Sequence, residues 1–367
     1  MYIEDISIVN FKNLREVNVK LSPKLNCFIG KNGSGKTNML DAVYYLSFCK
    51  SFSNSIDLLN INHEENFFML SGNYKRLGAN ETISCGIQRG QKKQFKRNSK
   101  VYKKLLKHIG LLPLVMITPS DVDLISGGSD ERRKFIDGVI SQYNQQYLND
   151  LVKYNRALLQ RNNLLKQFAS EHFFDQDLLE IWDLQLIEFG SRIHEQRKEF
   201  VEKLIPVFQR YYSFISQDSE TVGLVHQSAL YEENIENLLK KSLQKDRAIQ
   251  YTSQGIHKDD LFFYIGDYPI KKLGSQGQMK TYLVALKLAQ FDFVKEISGL
   301  KPILLLDDIF DKLDEFRVEQ IVKVAAGEQF GQIFITDTNR SHLDAIIKKM
   351  NTDFYIFNVE AGKVKRT

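Results

Sequence analysis

Two stretches of this chain combine residue types and spacing suited to a nucleotide phosphate. Gly30, Lys31, Asn32, Gly33, Ser34, Gly35, Lys36 and Thr37 spell a glycine, four residues, then Gly-Lys-Thr. Glycines let the backbone wrap an anion closely so that its N–H groups face it, and a helix starting there adds positive potential. At this spacing Lys36 reaches the outer phosphates and the Thr37 hydroxyl ligates Mg²⁺, so the expected ligands are ATP and Mg²⁺. Far along the chain, Pro302 and four apolar residues, Ile303 to Leu306, lead into Asp307 and Asp308. A buried strand would deliver these carboxylates to its C-terminal tip, where α/β sheets bind ligands. Asp307 is expected to hold Mg²⁺, directly or through water. Asp308 would orient or deprotonate an attacking water, with Lys36 completing the catalytic set. Asp311-Lys312-Leu313-Asp314 follows at the spacing of a D-loop.

A third stretch, Gly274-Ser275-Gln276-Gly277-Gln278, stands ahead of a helical run from about Met279. A serine and glycine before a helix start form another anion site from a hydroxyl and exposed N–H groups. With one phosphate loop per chain, the economical reading is that Ser275, Gly277 and Gln278 meet the γ-phosphate held by a partner subunit.

The elements that must carry these residues read as α/β, helical insertion, α/β. Ile3, Ile6 and Ile8, then Val17, Val19 and Leu21, alternate at strand period; Leu25 to Ile29 is a short buried strand. A helix should run from Lys36 to Phe48. Phe67 to Tyr74 and Glu81 to Gln88 should pair around Gly78-Ala79-Asn80. From about Asp130 the period becomes helical. One series runs Ile136, Ile140, Tyr143, Tyr147, Leu151, Tyr154, Leu158, and another runs Leu178, Trp182, Leu186, Phe189, Ile193. They predict two long antiparallel helices, broken near Ser170 to Asp175 and ending around Pro206. Strands return at Leu261–Ile265, Ile303–Leu306, Ile333–Thr336 and Phe354–Val359, with helices from about Met279 and Glu315 between them. The expected division is a discontinuous ATPase lobe, residues 1–120 and 250–367, around a helical lobe, 121–249.

The 367 residues suffice for two domains, and 43% hydrophobic with 26% charged residues is ordinary for a soluble globular protein. No apolar run reaches the roughly 18 residues of a membrane span, and the start lacks a secretion-signal pattern, so a cytoplasmic protein is expected. Cys27, Cys49 and Cys85 are too scattered for a disulfide framework or a zinc site and read as reduced core residues. The net charge of +5 is mild. Its distribution is more telling, because Arg89, Lys92, Lys93, Lys96, Arg97, Lys100, Lys103, Lys104 and Lys107 form a run without any acidic residue. Interleaved with Phe95 and Tyr102, that run is a candidate DNA-binding track; the alternative is a solvated face. Arg132 and Arg133 are a second DNA candidate, with holding the two lobes together as their alternative.

The order of phosphate loop, Ser275-Gln276-Gly277-Gln278, acidic strand and D-loop resembles the ABC ATPase superfamily. Gln276 departs from the glycine usual in its transporters, and Asp308 replaces their glutamate. The 239 positions from Lys36 to Ser275 exceed a transporter's spacing, while the helical insert is far too short for the coiled coil of SMC proteins. The chain is similar over essentially its whole length to the RecF family of recombination-repair ATPases. The matching patterns are Asn10-Phe11-Lys12-Asn13-Leu14, the phosphate loop, Pro119-Ser120-Asp121 leading to Gly127-Gly128-Ser129, Arg132-Arg133 before Phe135-Ile136-Asp137, Gly255 to Asp260, and Gly274 to Gln278. The resemblance implies an ABC/SMC-type ATPase head with a β-rich N-terminal subdomain and an inserted helical lobe. It adds Lys12 and Asn13 to the nucleotide site and implies a weak, DNA-stimulated ATPase. It further implies a homodimer formed on ATP, working with RecR, RecO and the recombinase RecA at gapped or junction DNA, away from membranes. Lys12 stands where arginine is usual, and Thr336-Asp337-Thr338 lacks the transporters' switch histidine. The competing readings are a transport ATPase subunit, disfavoured by the long insert, and an ATP-dependent nuclease, for which the sixty residues after Asp307 leave no further acidic metal domain.

Overall fold

The computed structural model describes residues 1–217, 220–309, 319–320, 323, 327, 329–340, 344, 347 and 353–367. Two units emerge. One contains residues 1–121, 211–219 and 276–367; the other contains 122–210 and 220–275.

The first unit opens with β1 (Tyr2–Phe11), β2 (Leu14–Lys20), β3 (Leu25–Ile29) and α1 (Lys36–Phe48). It continues through β4 (Phe67–Arg76), β5 (Ala79–Gln88), β6 (Gln94–Arg97), β7 (Lys100–Val101) and β8 (Leu114–Ile117). β3 and α1 fall where their sequence patterns put them. The β4–β5 hairpin turns at Leu77-Gly78, one residue before the expected Gly78-Ala79-Asn80, because pairing extends outward to Arg76 and Ala79. Strands β2-β1-β4-β5-β6-β7 form one antiparallel sheet. Its inner face buries Ile3, Ile6, Ile8, Phe68, Leu70 and Ile83 in a core shared with α1. Phe11, Tyr45 and Phe68 meet edge to face at its centre.

The second unit begins with α2 (Asp123–Ser126), α3 (Ser129–Tyr143), α4 (Gln145–Glu171) and α5 (Gln176–Ser216), whose residues from Tyr211 belong to the first unit. There follow β9 (Val222–Gln227), α6 (Ile235–Ile249), β10 (Asp260–Ile265), β11 (Tyr268–Pro269) and α7 (Ile270–Leu273). Two expectations are corrected here. The first long helix is two, parted at Asn144, whose side chain accepts the Tyr147 N–H and caps α4. The second does not end at Pro206 but contains it. A mid-helix proline costs about 3 kcal/mol, which burial of Phe208, Tyr211, Tyr212 and Ile215 beyond it can offset.

The unit boundary also differs from the expected one. Residues 250–275 go with the helical unit, because β10 pairs with β9 and β11 in a three-stranded sheet there. Buried arginines reinforce this. Arg197, 1% exposed, binds Asp137, Asp259 and the Ile256 carbonyl, and fully buried Arg161 binds Asp183, Asp246 and Thr252.

The first unit resumes with α8 (Gln276–Ser298), β12 (Ile303–Asp307), β13 (Ile333–Asp337), β14 (Phe354–Glu360) and β15 (Lys363–Arg366). The helix expected from about Glu315 and the D-loop residues Asp311 to Asp314 lie outside the described residues. A second sheet has the order β15-β14-β3-β13-β12-β8, parallel except for the β14–β15 hairpin. This sheet positions the site. β3 leads into the phosphate loop, β12 ends on Asp307, and β13 lies between them, so all three C-terminal ends open at one edge. All three cysteines are buried and free. No described helix is long and apolar enough to cross a membrane.

Candidate nucleotide site

The phosphate loop leaves β3 and enters α1 through Gly35, whose φ of +116° belongs to the left-handed region. A side chain at Gly35 would also meet Asn13 Oδ1 at 2.8 Å. Lys36, 4% exposed, folds its ammonium onto the Gly30 carbonyl at 3.0 Å and the Lys31 carbonyl at 3.4 Å. Asp308 Oδ2 stands 3.8 Å from the same ammonium. Ser34 Oγ is buried and has no hydrogen-bond partner among the described residues. A phosphate oxygen at the loop would supply one.

Thr37 Oγ1 donates to Asp307 Oδ1 at 3.0 Å, so the two expected metal ligands are already in contact. Thr336 completes this cluster. Register pairs it with Asp307 on β12, its hydroxyl donates to Asp307 Oδ1 at 2.7 Å, and the same oxygen accepts the Asp308 N–H at 2.9 Å. Burial pushes the Asp307 carboxyl above its ordinary range, against the Thr336 and Thr37 hydrogen bonds and the Lys36 charge. A buried carboxylate beside a hydroxyl is a donor set that gains from a hard cation. Among the described residues no cluster of three or more His, Cys, Asp or Glu side chains suits a metal. The remaining ligands would have to come from the nucleotide and water, as Mg²⁺ usually takes them.

The β1–β2 turn flanks the loop. Lys12 bonds Asp41 on α1 and donates to Ser53 Oγ at 2.6 Å. Asn13 donates to the Gly33 carbonyl at 3.2 Å and accepts from Asn38 at 2.7 Å. Asn13 therefore holds the loop's backbone, and Lys12 is anchored beside it through Asp41. Sequence reading missed Asp41 and Thr336. Neither has a motif of its own, since each is chosen by a partner distant in sequence.

Comparison with known proteins agrees with this geometry. The RecF/RecN/SMC N terminal domain family matches residues 2–365. The DNA replication and repair protein RecF of Phocaeicola vulgatus is 55% identical over 366 residues, covering 99% of this chain and 98% of its own. That of Flavobacterium johnsoniae is 50% identical over 359 residues, covering 98% and 100%. The chain belongs to the RecF family.

A solved structure of the recombination mediator RecF with ATP, from the RecFOR pathway, superposes at a TM-score of 0.90 with 31% identity over 100% of this chain and 97% of its own. An SMC head bound to the winged-helix domain of ScpA reaches 0.60 at 15% identity, a likeness of fold alone. The fold is thus the ABC/SMC-type ATPase head, with the β-rich sheet and helical insert described above.

Other RecF-family patterns find physical reasons in the second unit. Arg132 grips Asp260 through two nitrogens, at 2.6 and 3.0 Å, and Arg133 donates to the Asp259 carbonyl at 2.6 Å. These partners all lie in the second unit, so both guanidinium groups are engaged by bonds within it. Along the chain, the signature straddles the division between Ser275 of the second unit and Gln276 of the first. Ser275 is exposed and immediately precedes α8, which starts at Gln276, three residues earlier than expected, with Gly277 and Gln278 in its first turn.

The basic run divides. Arg97 forms a two-nitrogen ion pair with Glu81, and Lys93 binds Asp57 at 3.1 Å. Phe95 is buried, and Tyr102 packs on the core beside His108, so the two aromatics interleaved with the run belong to the core. Arg89, Lys92, Lys100, Lys103, Lys104 and Lys107 remain exposed.

Proposed function

We propose that this chain is an ATP-operated, DNA-binding switch of recombinational repair and replication. The observation that carries the reading is the convergence of Lys36, Thr37, Asp307 and Asp308 at one sheet edge. ATP binds at the phosphate loop, where Lys36 leaves the Gly30 carbonyl for the phosphates. Thr37 and Asp307 would hold Mg²⁺, which would draw charge from the phosphate oxygens. Asp308, fixed through its own N–H by Thr336, orients the attacking water. Its side chain is one methylene shorter than a glutamate's, and turnover is correspondingly slow.

ATP binding assembles a homodimer, because Ser275, Gly277 and Gln278 of one chain meet the γ-phosphate held by the other. The ATP-bound dimer binds DNA near single-strand gaps and helps load a recombinase, alongside RecR and RecO proteins; hydrolysis resets it. Membership of the RecF family and the exposed lysines of the basic run support this reading.

The deciding experiment measures mass by light scattering and DNA affinity with Mg²⁺ and either ATP, ADP or no nucleotide. ATP alone should give the dimer and the higher affinity. Equal behaviour in all three conditions would remove the switch.

A further inference from the structure

The phosphate loop is touched on its outer side by a turn more than three hundred residues away. Gly362, in the tight turn joining β14 to β15, donates its N–H to the Ser34 carbonyl at 2.9 Å. The approach is close enough to dictate residue type on both sides. Gly362 has φ +77°, and a Cβ there would lie 2.0 Å from the Asn13 carbonyl oxygen. A Cβ on Gly30 would lie 2.2 Å from the Val359 carbonyl oxygen. Both contacts involve rigid backbone, which cannot yield as a flexible side chain would.

A trans peptide unit points its C=O and its N–H in opposite directions. Holding the Ser34 carbonyl toward the hairpin therefore turns the Gly35 N–H, in the same peptide unit, to the other face of the loop. That is the face a phosphate must use, because the hairpin fills this one. Asn13 holds the Gly33 carbonyl one residue earlier, where the N–H of the same peptide unit, that of Ser34, donates to the Lys31 carbonyl at 3.2 Å. The loop is thus gripped at two successive carbonyls by two turns foreign to it.

We propose that the Ala361–Gly362 turn is a positioning element of the nucleotide site, with Gly362 fixing the peptide that presents the Gly35 N–H to phosphate. The inference rests on the reading of the loop as an ATP site. It makes the β14–β15 hairpin part of the machinery that sets ATP affinity, although it carries no group that touches nucleotide.

The test compares the wild type with G362A and with a protein whose Gly362 amide is replaced by an ester, introduced by ligating a synthetic C-terminal segment. The ester replaces the N–H by an oxygen, which removes the donor and adds no side chain. ATP·Mg²⁺ affinity is measured by calorimetry, and Tm is measured without nucleotide. One lost hydrogen bond of this kind should weaken ATP binding by about three- to tenfold, with Tm shifted by only a few degrees. G362A should lose more, because its Cβ would also meet the Asn13 carbonyl oxygen. If G362A does not fold, the ester protein carries the test. A folded ester protein binding ATP within twofold of the wild type would overturn the inference and leave the nucleotide site standing. Failure of the wild type itself to bind ATP would overturn both.

Discussion

Thr37 Oγ1 and Asp307 Oδ1 are 3.0 Å apart although 270 positions separate them in the chain. The contact exists because β13 intervenes between β3 and β12 in the sheet, which brings the C-terminal ends of all three strands to one edge. A hydroxyl beside a carboxylate with a raised pKa is a site prepared for a cation. Asp307→Asn should therefore abolish Mg²⁺-dependent hydrolysis, whereas Asp308→Asn should still bind ATP and accumulate as closed dimer. Thr336→Val, which removes the hydroxyl from both aspartates, should lower kcat by tenfold or more, on the order of the loss seen when one positioned hydrogen bond goes missing. Steady-state turnover and nucleotide trapping separate the three variants, and an Asp308→Asn protein with wild-type turnover would end its assignment to water.

Lys36 already leans on loop carbonyls and Asp308. Lys36→Met should weaken ATP binding by at least about tenfold, the size of one charge-assisted contact, and remove turnover. A fluorescent ATP titration checks it, and unchanged affinity would count against the loop as the phosphate site.

For the signature, Ser275→Arg should bind ATP as a monomer, since its own phosphate loop is intact. Light scattering with saturating ATP reads the outcome. Dimers as abundant as those of the wild type would exclude contact between Ser275 and the partner's nucleotide.

Replacing exposed Lys92, Lys100, Lys103 and Lys104 by alanine should weaken DNA binding and flatten the slope of log K against log salt by up to about 3 to 4. Lys93→Ala and Arg97→Ala should instead lower stability, because they strip partners from Asp57 and buried Glu81. An unaltered slope in the fourfold variant would make the strip a solvated face.

Stability should depend on pH through His108. Buried, with Nε2 on the Leu46 carbonyl and Nδ1 on the Tyr102 hydroxyl, its imidazole is pushed down to about 4 by burial. An imidazole that resists protonation only when folded contributes full stability above its unfolded pKa of about 6.5 and loses it as pH falls toward 4. The loss should approach about 1.4 kcal/mol per pH unit inside that window. Chemical denaturation from pH 7 to pH 5 measures it, and His108→Gln should remove that part of the slope.

Local signals carried much of this molecule in its sequence. β3, the phosphate loop, α1 and β12 each announce themselves within ten to fifteen consecutive residues. Contacts that depend on what the sheet brings together were hidden. Thr336 looks like any residue at a strand end until register sets it against Asp307. Gly362 looks like an ordinary hairpin glycine until it meets Ser34. The acids that neutralise Lys93 and Arg97 in the basic run, Asp57 and Glu81, likewise lie outside it in sequence. Residues 250–275 cluster with the helical unit, which strand periodicity does not reveal, because it marks a strand but not the sheet the strand joins. At Pro206, a local helix-breaking rule gave way to the burial of residues beyond it.

The three cysteines have a practical consequence. Burial pushes the thiols of Cys27, Cys49 and Cys85 up to about 12, and each is inaccessible in the folded protein. A thiolate is the form that reacts with maleimides, so the native chain should be silent to such reagents at neutral pH. A single Lys272→Cys substitution, at an exposed position just ahead of the signature, would then be the one site labelled. A dye placed there could follow nucleotide-driven assembly in real time without first removing the protein's own thiols.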